Sequence, residues 1–218
     1  MKILIYGLGK FAEYISFVLT HDSKHEICAF CIEENFNIEK NTFFCSLPIV
    51  EFENIELHYP PSEYGLFIAI GNNEVREKIF KLSKKKGYHL ISHISSKAIV
   101  WNDLKFGENV FLSEDSGVQP FVSIGDNTIL IGSKIGHHSI IGNNVLLSCS
   151  YVAGNVKIGD NSFLGLNSSV KQNTIIGRSN IIGMGSIVEN DTNDCEIFDN
   201  GKSTRKRSIS SDKFKKYL

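Results

Sequence analysis

The chain has 218 residues, a formal net charge of -1 and 22% charged side chains, enough for one large domain or two small ones. So even a charge balance gives no electrostatic footing for nucleic acid or an acidic surface as partner. The apolar runs are too short to span a bilayer, the segment opening at Met1 reads as a strand rather than a signal peptide, and five cysteines without a framework spacing point to a reducing cytoplasm.

Lys2 to Tyr6 is an apolar run closed by Gly7-Leu8-Gly9, which predicts a buried strand and a tight turn. Phe11 to Thr20 carries Ile15, Phe17, Val18 and Leu19 among polar residues and reads as a helix. Glu26 to Ile32 is a second strand; it contains Cys28 and Cys31 at a CxxC spacing, which inside an apolar strand reads as two ordinary thiols rather than a metal or redox pair. Residues 35–63 have no legible order of elements. Leu66 to Ile70 is a further strand closed by Gly71, and Asn72 or Asn73 stands where it would cap a helix running to about Lys84. Strand, glycine turn, helix and strand predict a small Rossmann-like parallel sheet, so residues 1–95 are expected to form an α/β domain.

From about residue 98 the rhythm changes. Every sixth residue is apolar from Val100 through Phe106, Leu112, Val118 and Ile124 to Leu130. After a five-residue step the series resumes at Ile135, Ile141 and Leu147, and after a second it runs from Val152 to Val188. A small or β-branched residue stands two places before most of these, as at Ser116, Thr128, Ser139 and Ser162. A surface helix returns its apolar face every three or four residues, so this period excludes one. It suits a triangular solenoid, in which the large aliphatic side chain fills the interior and the small one fits near a corner. One coil cannot bury its own apolar residues, whereas about five stacked coils form a continuous core. Residues 96–190 are therefore expected to be an all-β left-handed parallel β-helix, with a C-terminal strand and basic tail over 191–218. The two five-residue steps predict local tightenings near 131–135 and 148–152, bracketing a turn that contains His137.

Four segments carry a resemblance: Ile3-Leu-Ile-Tyr-Gly-Leu-Gly-Lys10, Phe67-Ile-Ala-Ile-Gly-Asn-Asn-Glu-Val-Arg76, Leu90-Ile-Ser-His93 and Ile135-Gly-His-His-Ser-Ile-Ile-Gly142. Over essentially its whole length the chain resembles the hexapeptide-repeat sugar acyltransferases. The resemblance is to those that N-acetylate nucleotide-linked amino sugars (the bacillosamine and perosamine pathways) and to their sialic acid O-acetylating relatives. It implies an acetyl-CoA-dependent N-acetyltransferase of surface polysaccharide biosynthesis, acting on a nucleotide-linked amino-deoxy sugar, a 4-amino-4,6-dideoxyhexose first. O-acetylation of a sialic acid or related sugar is the near alternative, and a non-catalytic structural solenoid is another. The resemblance further implies a homotrimer, with acetyl-CoA in the groove between adjacent solenoids, and no metal.

His137 matches the family's general base. Its position also qualifies: Ile135 points inward, so a residue two places later lies on the turn, and an imidazole is a competent proton acceptor near neutrality. Family members commonly place a carboxylate immediately after the base. Here His138 stands there, so either the carboxylate's role falls to an acidic residue elsewhere or His138 binds the acceptor, and the family's further histidine near the acyl donor falls on Leu146. Gly7 to Ala12 is an incomplete GxGxxG motif. In the family this domain receives the nucleotide-sugar, which assigns Gly9, Lys10, Glu33, Glu34, Asn72, Asn73 and Arg76 to substrate binding, with a plain helix-surface role equally open for Arg76. The later coils around Gly165, Leu166, Gly183 and Met184 are the expected walls for acetyl-CoA, and Lys202 and Arg205 in the basic tail are expected to meet its phosphates.

Overall fold

The computed structural model describes residues 1–33 and 42–199; Glu34, Lys202 and Arg205 lie outside the described residues. The first domain contains β1 (Lys2–Tyr6), α1 (Lys10–Asp22), β2 (Glu26–Ile32), β3 (Phe43–Phe44), β4 (Leu47–Glu51), β5 (Tyr64–Ile68) and α2 (Asn73–Lys85). Its sheet has the order β3-β4-β2-β1-β5, parallel except for the β3–β4 hairpin. That hairpin lies in the stretch whose order was not legible. It turns at Cys45 and Ser46, both in the left-handed region with φ of 48° and 64°, without the glycine that announces such turns.

The parallel strands are apolar on both faces because both are covered. Ile3, Ile5 and Phe67 pack with Ala12, Ile15 and Leu19 of α1, while Leu4, Tyr6, Leu66 and Ile68 pack with Ile79 of α2. The Asn72 side chain caps α2 by accepting the Val75 N–H at 3.0 Å.

The second domain is a left-handed β-helix with three parallel sheets as its faces. The first face has seven strands, beginning at His93–Ile94, ahead of the residue where the six-residue rhythm becomes legible, and ending at Ile197–Phe198. The second face carries Gly117–Val118, Lys134–Ile135, Tyr151–Val152, Ser169–Val170 and Ile187–Val188. The third carries Lys105–Phe106, Ser123–Ile124, Ile140–Ile141, Lys157–Ile158 and Ile175–Ile176. From Leu112 to Val188 every residue of the six-residue series is buried. Phe106, on the first strand of the third face with no strand above it, stays half-exposed. The small corner residues have a hydrogen-bonding task as well as a steric one. The Thr128 hydroxyl donates to the Gly142 carbonyl and accepts the Val145 N–H, and Ser162 does the same for Gly177 and Asn180.

The five-residue steps tighten the chain within the expected segments, 131–135 and 148–152, though not at the His137 turn itself. They follow the three-residue strands Ile129–Ile131 and Leu146–Ser148, at Gly132 (φ 58°) and Cys149 (φ 43°). Both therefore stack on the corner between the first and second faces.

The first domain sits on the seven-stranded face. Phe111, Ile129, Ile131 and Leu146, which point outward from the solenoid, join the core beneath α1. The Asn109 side chain accepts the Ile68 N–H at the end of β5 and donates to Asn127, which donates to Asn144, the last two links both 2.7 Å. Among the described residues no helix is long and apolar enough to cross a membrane.

Candidate active site

The turn between the second and third faces, the corner opposite the first domain, carries His137 and His138, both exposed. Its backbone is tied to the coils on either side: His138 N–H donates to the Pro120 carbonyl, and the His137 carbonyl accepts the Asn155 N–H. The His137 N–H donates to Gln119 Oε1 at 2.9 Å. The His137 ring lies over Gly154, where an added Cβ would stand 2.8 Å from the ring atoms. His137 Nδ1 is 3.0 Å from His138 Nδ1. The His138 ring rests in turn on Phe121, with centroids 4.6 Å apart.

This corner opens onto a groove of about 950 Å³ running along the second face, lined by His137, Gln119, Lys134, Tyr151, Gly154 and, at its upper end, Trp101. Gly117, Gly136 and Ala153 keep its floor low. An open imidazole in a groove floored by small residues suits an extended ligand that passes a reactive carbonyl beside the ring. Gln119, Phe121 and Gly154 escaped the sequence reading. Each lies 17 or 18 residues from a histidine of the turn, one coil away, and that coil offset is the signal that would have found them.

The residues assigned to the nucleotide-sugar divide into two groups. β1, β2 and β5 run parallel, so Gly9, Lys10, Glu33 and Asn72 all leave the same carboxyl edge of the sheet, the edge where open α/β sheets hold ligands. Gly7, with φ of 123°, makes the turn possible, since a Cβ there would press on the Ala69 carbonyl. Gly9 is the N-cap of α1 without a side-chain cap, and nothing lies near its absent Cβ. The Lys10 ammonium is exposed beside Glu13 at 2.7 Å, and Glu33 accepts from Lys78 at 2.6 Å.

Arg76 and Asn73 are different. Arg76 is fully buried, and its guanidinium donates to the carbonyls of Ile70, Gly71, Asn127, Asn144 and Val145 and to Asn73 Oδ1. Every N–H is engaged, so Arg76 clamps the two domains and has no donor left for a substrate, contrary to its sequence assignment. Burial pulls its pKa down to about 9. Asn73 donates to the carbonyls of Asn161 and Ser162 across the same seam.

Gly165, Leu166, Gly183 and Met184 stack on the corner between the first and second faces, where Gly185 N–H donates to the Leu166 carbonyl. Leu166 and Met184 are exposed there, beyond the residues that line the groove. Burial raises the thiol pKa of both Cys31 and Cys28, away from the thiolate that metal or redox chemistry uses.

Residues 2–82 match the family model of the PglD N-terminal domain. A perosamine N-acetyltransferase from Caulobacter crescentus, solved with CoA and GDP-perosamine, superposes with a TM-score of 0.80 at 24% identity, over 90% of this chain and 92% of that one. The acetyltransferase domain of PglB from Neisseria gonorrhoeae, solved with acetyl coenzyme A, gives 0.79 at 18% identity over 90% and 94%. WeeI from Acinetobacter baumannii gives 0.80 at 23% identity over 92% and 98%. The first domain is thus similar to a PglD N-terminal domain, and the whole chain has the fold of these proteins, an α/β unit leading into a hexapeptide solenoid.

Proposed function

We propose that this protein is an acetyl-CoA-dependent N-acetyltransferase acting on a nucleotide-linked amino-deoxy sugar, a 4-amino-4,6-dideoxyhexose first, with His137 as general base. The observation that carries the reading is His137 itself: an exposed imidazole seated over Gly154 at the mouth of an open groove, in a fold shared with a perosamine N-acetyltransferase. Two of the Caulobacter structures are of variants in which a histidine is replaced.

In the reaction the sugar amine attacks the thioester carbonyl of acetyl-CoA. The C–N bond forms as His137 Nε2 takes the proton the nitrogen sheds. A backbone N–H of the groove stabilises the oxyanion. The C–S bond then breaks, its electron pair stays on sulfur, and the imidazolium returns the proton to the thiolate. The products are the N-acetylated sugar and the CoA thiol.

The carboxyl edge of the first domain holds the nucleotide-sugar in this reading. The uncapped N-H groups at Gly9 and the first turn of α1 receive its phosphates, Lys10 adds charge, and Glu33 lies beside the base. Because that domain covers the face opposite the His137 corner, one chain does not present both halves to one ligand. A homotrimer brings the first domain of one protomer toward the groove of the next.

Thiol release from acetyl-CoA, measured across nucleotide-linked amino sugars and free sialic acid, tests the reading. Turnover with an amino sugar and its loss in a folded His137→Ala variant are expected. Turnover with free sialic acid alone would move the reading to O-acetylation. Wild-type turnover in His137→Ala would remove the base.

A further inference from the structure

We infer that His138 is a positioning residue for His137, the hydrogen-bond acceptor that fixes its tautomer, rather than a residue that binds the acceptor sugar. The inference rests on the acetyltransferase reading above for its kinetic consequence, though not for its geometry.

Two Nδ1 atoms 3.0 Å apart require one N–H and one lone pair. If His138 donated, His137 would carry its proton on Nε2 and have no lone pair there for the amine. If His137 donates, its Nε2 is the free base, and His138 is neutral with its proton on Nε2. Only the second arrangement lets His137 accept a proton. When it does, the same contact becomes a charge-assisted hydrogen bond to the new imidazolium and strengthens. His138 thus supplies, without a charge, the orienting acceptor that a carboxylate would supply at this place.

The backbone points the same way. The turn position of this corner adopts the left-handed region in four successive coils, at Phe121, His138, Asn155 and Asn173, with φ from 57° to 65°. Asparagine suits that region, and Asn155 donates to Asn173 across the lower two coils. Phenylalanine does not suit it, yet Phe121 holds it at 65° in the coil where its ring meets His138. The corner therefore accepts an unfavourable backbone at the level where two rings must meet. With Phe121 against its face and Nδ1 committed to His137, the His138 ring is held from two sides. Charged and titratable groups around this corner include Asp103, which accepts the Phe121 N–H, Lys134, which donates to the Asp115 carbonyl, and Tyr151 in the groove.

The test pairs His138→Gly, which relaxes the backbone and deletes the acceptor, with His138→Asp, which restores an acceptor carrying a charge. In His138→Gly, kcat is expected to fall about tenfold to a hundredfold, less than the full worth of a general base. Both KM values and the thermal midpoint hold, and the acid limb of the kcat profile moves to lower pH. His138→Asp is expected to recover most of kcat and move that limb above the wild-type position. A raised KM for the sugar with kcat unchanged would overturn the inference in favour of substrate binding. A loss that His138→Asp does not repair would overturn it in favour of a purely structural role. Independently, nitrogen-15 NMR of the imidazoles in the free protein is expected to find His137 protonated on Nδ1 and His138 on Nε2. His137 protonated on Nε2 sinks the inference whatever the enzyme acetylates. A wild-type protein without acetyl transfer would sink the proposed function and leave this measurement to decide the dyad.

Discussion

The His137 ring owes its position to what is missing beneath it. Gly154 lies one coil away, has no left-handed φ, and would place a methyl 2.8 Å from the imidazole. Gly154→Ala is therefore expected to fold, swing the exposed ring away and cut kcat/KM at least tenfold, with the thermal midpoint nearly unchanged; steady-state kinetics beside a melting curve checks it. Gly9 makes the opposite case. As an uncapped N-cap with open space around its Cα, it accepts Asp without strain, and Asp caps α1 for a few tenths of a kcal/mol. Gly9→Asp is expected to raise the thermal midpoint slightly while raising KM for the nucleotide-sugar, because the new carboxylate repels phosphates. The turn place of His137 was legible from its position two residues beyond an inward Ile135. Gly154 and Phe121 were not, because their part depends on which coil lies above and below.

The elements are joined by polar devices rather than by apolar contact alone. Arg76 of α2 is a buried cation facing carbonyls of both domains. Arg76→Met leaves five carbonyl oxygens without their donor and is expected to cost about 3–5 kcal/mol, read by urea denaturation. At the other end of the seam, Asp22 at the end of α1 accepts from the Ser95 hydroxyl and the Ser96 N–H. These two bonds hold its carboxyl down to about 2, against an ordinary value of 3.8. A depressed folded-state pKa means the bonds stabilise fully above the ordinary value and are lost as pH falls past about 2. His93, buried 3.5 Å away with its proton affinity lowered by burial, adds to the same slope at higher pH. The melting temperature of Asp22→Asn is expected below wild type at pH 7, with the gap narrowing as pH falls from 3.8 toward about 2. Neither clamp was legible from sequence. Arg76 sat on a predicted helix surface, and only the solenoid packed against that helix buries it.

At the scale of the whole molecule, the first domain and the His137 corner lie on opposite sides of the prism, which ties the proposed activity to assembly. Assayed at nucleotide-sugar concentrations far below the raised KM of Gly9→Asp, co-assembly of His137→Ala with Gly9→Asp chains is expected to restore about a quarter of wild-type turnover under random mixing, since each variant supplies the half its neighbour lacks; no recovery would place both halves in one chain. The sequence by itself determined the solenoid and its in-out pattern, because a strict six-residue period is satisfied only where each aliphatic side chain meets its counterpart a coil away. It also determined the α/β character of the first domain, through strands apolar on both faces. Tertiary structure alone decided which corner faces the first domain and which corner the two shortened steps stack on. It alone decided that Arg76 binds the solenoid rather than substrate and that the two histidines meet through their Nδ1 atoms. The Arg76 clamp joins residues more than 50 positions apart, and the rings of the adjacent His137 and His138 are set by Phe121 and Gly154 in the neighbouring coils; no local pattern of side chains records a contact made across a coil or across a domain seam.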